Sequence, residues 1–271
     1  MSIWCRAPLT YANRSGGLAG GEVTVEVRDG RAAALPGWET CGFELVTECS
    51  SVVDWKDDEE IASVYYGEAE DLARRLTGCS AALVSDHVKR SAETVRRDRE
   101  QSPVRLVHSD FAANYEDVAR HAYDTVHGRG AATLARTGVS SHEIGSAGRI
   151  MMLQLWRNLG EATMDLPVAF CDARTVTPAD TRPFPYTGYV AGGRSFDALA
   201  VVAPPEPADH AWYAFPSMVA DEVVAFRTYD TDLVRAGRTW FTPHSAFRDP
   251  GVELGAPARV SIELRVLCLF S

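Results

Sequence analysis

VRLVHSD, residues 104–110, predicts a β-strand whose end carries a histidine and an aspartate. In an extended chain, residues two apart project from the same face, so His108 and Asp110 lie side by side and Ser109 points away. An imidazole and a carboxylate in this arrangement need one more histidine, from a distant strand, to form a metal site with open coordination positions. His-x-Asp alone is weak evidence, because the chain has 7 histidines and chance matches are easy.

The candidate third ligand is His244, which lies far downstream in the segment TPHSAF. Further along the chain, Arg259 and Ser261 open the last strong β segment and share one face of it. A guanidinium binds a carboxylate through two parallel hydrogen bonds, and a neighbouring hydroxyl adds another donor. The pair therefore predicts a clamp for a carboxylate. A surface salt bridge from Arg259 to Glu253 or Glu263 is the alternative.

Short apolar runs, broken by Pro, Gly and Asp, extend outward from these segments. They predict strands in the first fifty residues and at residues 81–88, 150–156, 199–202, 212–215, 222–226 and 261–270. Acidic residues in the first turn, an apolar stripe and a final Gly78 predict a helix over residues 57–78, and a second helix is predicted over 115–126. This pattern is typical of one mainly β domain, a sandwich or barrel with flanking helices.

Composition excludes several classes of function. The 271 residues are 46% hydrophobic and 24% charged, an ordinary globular balance. The formal net charge of −10 opposes binding to a polyanion, so no nucleic-acid partner is expected. No segment approaches the ~20 apolar residues of a membrane span, and the N-terminus lacks the pattern of a secretory signal. A soluble, cytoplasmic protein with no membrane partner is expected.

The order of these motifs resembles a known superfamily. His-x-Asp, then a distant histidine, then Arg-x-Ser on a late strand is similar to the Fe(II)/2-oxoglutarate-dependent oxygenases. Flanking segments resemble one natural-product tailoring subfamily, related to the cephalosporin 7α-methoxylation component and to fungal meroterpenoid endoperoxide-forming oxygenases. These segments are DLPVAFCDAR (165–174), HAWYAFP (210–216), HSAFRDP (244–250) and SIELR (261–265). The resemblance runs from about residue 104 to the C-terminus.

The resemblance implies a fold and a class of reaction. The fold is mainly β with flanking helices, a double-stranded β-helix (jelly roll, cupin-like). A single oxygenase domain spans residues 1–271, with its core at about 104–271 and residues 1–103 packed on it. The enzyme is a dioxygenase, an oxidoreductase that oxidises a C–H bond of a small-molecule biosynthetic intermediate. Hydroxylation, desaturation and oxidative ring formation all stay open. The resemblance also implies secondary metabolism, such as antibiotic biosynthesis, and a homodimer.

The same resemblance implies which residues bind the cofactors. His108, Asp110 and His244 would hold Fe(II) as both metal ligands and catalytic residues. Arg259 with Ser261 would grip the far carboxylate of 2-oxoglutarate, the co-substrate that is consumed together with O2.

Five residues are candidates for contact with the substrate: His87, Arg90, Trp156, Arg157 and His210. For His87 and Arg90, a polar cluster at the end of a strand is the alternative. For Arg157, the alternative is an ion pair with Asp165 or Asp172. For His210, capping of a core tryptophan is the more frequent case.

Two segments depart from the subfamily pattern. QLWRN (154–158) stands where Asn-x-Trp-Arg-Pro is usual, and ARVS (258–261) stands where Pro-Arg-Glu-Ser is usual. Neither change touches a proposed metal ligand or the Arg/Ser pair. A difference is therefore expected on the substrate side of the pocket.

Two other classes of function stay open. A jelly-roll metal-dependent hydrolase or isomerase would use Zn²⁺ or Mn²⁺ as a Lewis acid. A non-catalytic β-scaffold binding protein would use the same fold without a reaction, since a fold does not determine a function. Activity without oxygen would favour the first alternative. The intact His-x-Asp, His and Arg-x-Ser set argues against the second.

Overall fold

Two β-sheets face each other, and helices cover their edges and one outer face. The computed structural model describes residues 2–14, 17–18, 20–98, 102–121, 123, 129–186, 196–253 and 255–271. Its strands are β1 Ile3–Thr10, β2 Glu22–Asp29, β3 Phe43–Thr47, β4 Ala81–Arg90, β5 His108–Ser109, β6 Arg149–Asn158, β7 Val168–Cys171, β8 Thr181–Tyr186, β9 Phe196–Val201, β10 Trp212–Ala214, β11 Glu222–Asp230, β12 His244–Ala246 and β13 Ser261–Phe270. Its α-helices are α1 Trp38–Cys41, α2 Asp58–Glu60, α3 Tyr66–Thr77, α4 Ala92–Arg97, α5 Tyr115–His121, α6 Arg129–Thr137, α7 Ser141–Ser146 and α8 Thr231–Arg235.

The order of strands in the sheets brings distant segments of the chain together. In the described residues the large sheet runs β1-β2-β10-β7-β12-β5-β9-β8, and the small sheet runs β3-β11-β6-β13-β4. Strands that precede residue 104 thus form outer positions of both sheets. This placement is consistent with one domain, and the assignment of residues 1–271 to a single domain stays a prediction.

Alternation along the small sheet separates a core face from a cavity face. On β6, Met151, Leu153 and Leu155 pack under α3, while Met152 and Trp156 face the large sheet. β13 pairs with β6 in a continuous antiparallel register from Ser261 to Phe270, so its side chains alternate in the same way. Every second residue of the central strands therefore points into the space between the sheets.

The helix predicted over residues 57–78 is confirmed, with a π-helical turn at Ile61–Tyr65 between α2 and α3. The Asp57 carboxylate caps its start by accepting the backbone N–H groups of Glu59 and Glu60. Gly78 ends it in the left-handed conformation, with φ of 68°. Ile61 and Leu72 are buried against the core face of the small sheet, and neither belongs to the described cavity wall.

Other local predictions need correction. The strand predicted from residue 104 is shorter: only His108–Ser109 forms a ladder, with one isolated bridge from Leu106 to Thr10. The second predicted helix forms over Tyr115–His121, and most of its remaining residues lie outside the described part of the chain. Helix α7, for which no element is predicted above, is stabilised by a capping box at Ser140 and Glu143. None of the described helices has the length and apolar composition needed to cross a membrane.

Candidate active site

Two adjacent strands of the large sheet bring the predicted metal ligands together. His108 on β5 lies directly opposite His244 on β12, and their ring centroids are 4.3 Å apart. Asp110 follows β5, and its Oδ1 lies 3.7 Å from His108 Nε2. One donor atom from each of the three residues lies within 4.8 Å of the other two. The period-two argument therefore predicted the local pair, and sheet topology supplies the third member.

Backbone carbonyls orient both imidazoles. His108 Nδ1 lies 2.7 Å from the carbonyl oxygen of Leu106, and His244 Nδ1 lies 3.1 Å from that of Thr242. A carbonyl only accepts hydrogen bonds, so each Nδ1 must carry the proton. In a neutral ring, Nε2 then carries the free lone pair, and this is the nitrogen that binds a metal.

Burial and charge favour the protonation states that bind a metal. Burial, together with the neighbouring His108, lowers the pKa of His244 to about 4. Burial likewise lowers the pKa of His108, although Asp110 opposes the shift. Burial alone would raise the pKa of Asp110, but nearby positive charge, foremost that of Arg265, holds the pKa below its usual value. At neutral pH the cluster is thus two neutral imidazoles and one carboxylate, ready to coordinate a cation.

A cavity of about 540 Å³ lies between the sheets and includes the three candidate ligands in its wall. Its volume falls in the range of small-molecule sites. Aromatic rings form much of the wall near the ligands: Phe226 packs edge-on against His244 at 4.9 Å, and Phe111 stacks on Tyr115 at 3.9 Å. Such a wall excludes water and favours apolar portions of a bound molecule.

Arg259 reaches the cavity wall from the segment before β13. Only 5% of the residue is exposed, yet no carboxylate among the described residues lies within salt-bridge distance of its guanidinium. Its Nη1 donates one long hydrogen bond of 3.3 Å to the Leu166 carbonyl, and its Nε has no hydrogen-bond partner within the described part of the chain. Burial lowers the pKa of Arg259 to about 10, so the group stays cationic at neutral pH. A buried cation without a counter-ion is costly, and an anionic ligand would compensate that cost.

The surroundings of Arg259 include further polar groups. The guanidinium lies 5.7 Å from the ring centroid of Trp156, which lines the cavity. Trp156 Nε1 and Gln154 Oε1 are also buried, and no described residue forms a hydrogen bond with either atom. Ser261 lies on the same face of β13 and is buried, but it does not belong to the described cavity wall. Its contact with a co-substrate stays a prediction.

His87 and Arg90 both line the cavity, but other groups already occupy their polar atoms. His87 Nδ1 bonds the Tyr66 hydroxyl at 2.9 Å, and its Nε2 lies 3.2 Å from Asp58. Arg90 donates to Glu263 at 2.8 Å and to the carbonyl of residue 102 at 2.9 Å. Both side chains are thus built into the wall, and their contact with a substrate stays a prediction.

Arg157 and His210 do not belong to the described cavity wall, and their contact with a substrate stays a prediction. Arg157 is on the other face of β6, where its Nε donates to the Tyr65 hydroxyl at 3.1 Å. Its guanidinium also packs 5.6 Å from the ring of Trp55. His210 is buried beside β1, where its Nδ1 lies 3.2 Å from the hydroxyl of Tyr11. The alternative for Arg157, an ion pair with Asp165 or Asp172, is not found among its described contacts.

Two charged residues of the cavity were missed as site residues from the sequence. Glu263 and Arg265 lie on the cavity face of β13 and line the wall. Arg265 Nε donates to Asp110 Oδ2 at 2.8 Å. Extending the period-two rule from Arg259 and Ser261 along the strand would have found both residues.

Comparisons with known proteins identify a family and a fold. Residues 10–269 match the family model of the oxidoreductase/YMDC permease-like domain. The hydroxylase/desaturase efuI of Hormonema carpetanum is 33% identical over 83% of this chain and 76% of its own length. The Fe(II)/2-oxoglutarate-dependent dioxygenase nvfI of Aspergillus novofumigatus is 26% identical over 84% and 76%. The solved structure of the iron and alpha-ketoglutarate-dependent endoperoxidase NvfI superposes with a TM-score of 0.71 at 21% identity, over 99% of both chains.

Fold and comparisons together define a jelly-roll oxidoreductase, which confirms the predicted fold class. The chain belongs to the matched oxidoreductase family. It is an Fe(II)/2-oxoglutarate-dependent dioxygenase, the enzyme class for which two of its relatives are named. Neither a hydrolase or isomerase nor a non-catalytic binding protein fits these findings. The donor set also fits Fe(II), because two imidazoles and one carboxylate form the facial triad of non-haem iron oxygenases.

Proposed function

We propose that this dioxygenase holds Fe(II) between His108, Asp110 and His244 and binds the far carboxylate of 2-oxoglutarate at Arg259. One observation supports this assignment above all. The wall of a single cavity carries three converging metal-type donors and a buried arginine that forms no ion pair with any described residue. The three donors would hold the metal that one end of a dicarboxylate chelates, and the arginine would bind the carboxylate at the other end.

The residues of the chain have distinct tasks in this proposal. His108 and His244 present Nε2 because the Leu106 and Thr242 carbonyls hold their Nδ1 protons. Arg259 orients the co-substrate, and Ser261 is proposed to assist it. The aromatic wall keeps water from the reacting centre. Bound Fe(II), with 2-oxoglutarate and O2, supplies the oxidation of an unactivated C–H bond that amino-acid side chains cannot perform.

The substrate is proposed to be a small-molecule intermediate of secondary metabolism, such as antibiotic biosynthesis. The cavity volume and its aromatic wall support a small molecule, and two relatives are named hydroxylase/desaturase. Hydroxylation, desaturation and oxidative ring formation are the proposed outcomes. A cytoplasmic location, a homodimer and the lack of a nucleic-acid partner complete the proposal, and the net charge of −10 supports the last of these.

An oxygen-dependent turnover assay tests the proposed function. Protein reconstituted anaerobically with Fe(II) should convert 2-oxoglutarate to succinate only after O2 is admitted, as measured by mass spectrometry. A compound that fits the cavity should accelerate this conversion and gain an oxygen atom or lose two hydrogens. Chelation of the metal or its replacement by Zn²⁺ should abolish succinate formation. Full turnover by metal-free or anaerobic protein would contradict the proposal.

A further inference from the structure

Arg265 reaches from the small sheet across the cavity to the carboxylate of the candidate metal site. It lies on β13 opposite Gln154 of β6. On the other side of β13, the pairing with β4 shifts in register between Leu264 and Val266 of β13. Two residues of β4 therefore face Arg265. Such a bulge redirects nearby side chains. The irregularity therefore lies on β4 directly opposite Arg265, the residue that contacts Asp110.

The contact involves one oxygen of Asp110. Arg265 Nε donates to Asp110 Oδ2 at 2.8 Å, and Nη2 lies 2.8 Å from the same oxygen. The other oxygen, Oδ1, is the atom that lies 3.7 Å from His108 Nε2. The Asp110 side chain is only 12% exposed. The two oxygens of this buried carboxylate therefore have different environments.

The other arginines of the cavity wall do not share this role. Arg90 donates to Glu263 and to a backbone carbonyl, and Arg259 has no carboxylate partner among the described residues. The fourth arginine of the wall, Arg129, pairs with Asp86, so each of the four arginines faces a different group. Arg265 is the one that contacts a candidate metal ligand.

We propose that Arg265 is a positioning residue that reserves Asp110 Oδ1 as a single-oxygen ligand for the metal. A carboxylate binds a metal through one or both of its oxygens, and two-oxygen binding would consume a position that the co-substrate or O2 needs. By holding Oδ2, Arg265 disfavours that mode and fixes the carboxylate rotamer. This inference rests on the proposed metal site and extends it to a residue outside the ligand set.

Cobalt titration of R265M and R265K tests the inference without using activity. Removal of a residue that hydrogen-bonds a metal ligand weakens metal binding by ~10–100-fold. We expect R265M to lose Co(II) affinity in that range. We also expect its visible Co(II) spectrum to change, because the carboxylate can then bind through both oxygens. R265K retains one charged donor, so its affinity and spectrum should lie between those of R265M and the unchanged protein.

Arg149→Met is the matched control. Arg149 also binds a buried carboxylate, Asp230, at 2.6 Å, but this pair lies outside the described cavity wall. The control should lower thermal stability and leave Co(II) affinity and spectrum unchanged. If R265M and R265K bind Co(II) with unchanged affinity and spectrum, the inference is wrong while the metal site stands. If the unchanged protein binds no Co(II), the proposed metal site fails, and the inference fails with it.

Discussion

Replacing His244 with alanine is expected to abolish 2-oxoglutarate turnover and to remove most of the affinity for Fe(II). Two donors then remain where three converge within 4.8 Å. Loss of a residue that only hydrogen-bonds a metal ligand already costs ~10–100-fold in affinity or activity, so loss of a direct ligand should cost more. His108→Ala should have the same effect, since the two rings face each other in the cluster. Metal affinity by anaerobic titration and succinate by mass spectrometry are the measurements.

His210→Ala is the control for these two variants. His210 is as well buried as His244, with 4% of the residue exposed against 7%, but it packs beside Tyr11 and away from the cavity. The control should therefore lose some stability and retain metal binding. Equal metal affinity in His244→Ala and the unchanged protein would refute the assignment of His244 as a ligand.

Replacing Arg259 with alanine is expected to weaken 2-oxoglutarate binding by at least ~30-fold. Truncating one partner of a buried, hydrogen-bonded charge pair costs ~2–5 kcal/mol, and each 1.4 kcal/mol is a factor of about ten in affinity. Arg259→Lys retains the charge but loses the planar fork, so its effect should be smaller. Titration of 2-oxoglutarate into Mn(II)-loaded protein without oxygen measures the affinity directly.

Arg157→Met is the matched control for Arg259. Arg157 is also a buried arginine, with 1% of the residue exposed, but its guanidinium packs against Tyr65 and Trp55 outside the cavity. Its replacement should leave the affinity for 2-oxoglutarate unchanged. If Arg157→Met weakened co-substrate binding and Arg259→Ala did not, the proposed carboxylate clamp would be in the wrong place.

The part of the site that sequence predicts well depends on local geometry. His108 and Asp110 are two residues apart in extended chain, so their proximity follows from the strand period. The period also shows why Trp156 and Arg157 cannot both face the cavity, since consecutive residues of a strand point to opposite faces. The structure places Trp156 in the cavity wall and Arg157 on the opposite face of β6, against Tyr65. Applying the rule to that pair would have excluded one of the two.

Contacts between distant segments have no local signal in one sequence. His210 is buried by Tyr11, a partner 199 residues away, and neither residue indicates the other. Arg265 and Asp110 are 155 residues apart and meet only because two sheets face each other. The placement of His244 opposite His108 likewise depends on the order of strands in the large sheet. Periodicity does not select His244 among the histidines, and the resemblance to a family supports its choice.

The central claim is that two imidazoles and one carboxylate share a single metal ion. Diffraction data collected at the manganese absorption edge, from crystals of Mn(II)-loaded protein, test it most directly. The account predicts one anomalous peak in contact with Nε2 of His108, Nε2 of His244 and Oδ1 of Asp110. A fully loaded protein whose manganese binds elsewhere, with none between these three atoms, would contradict it.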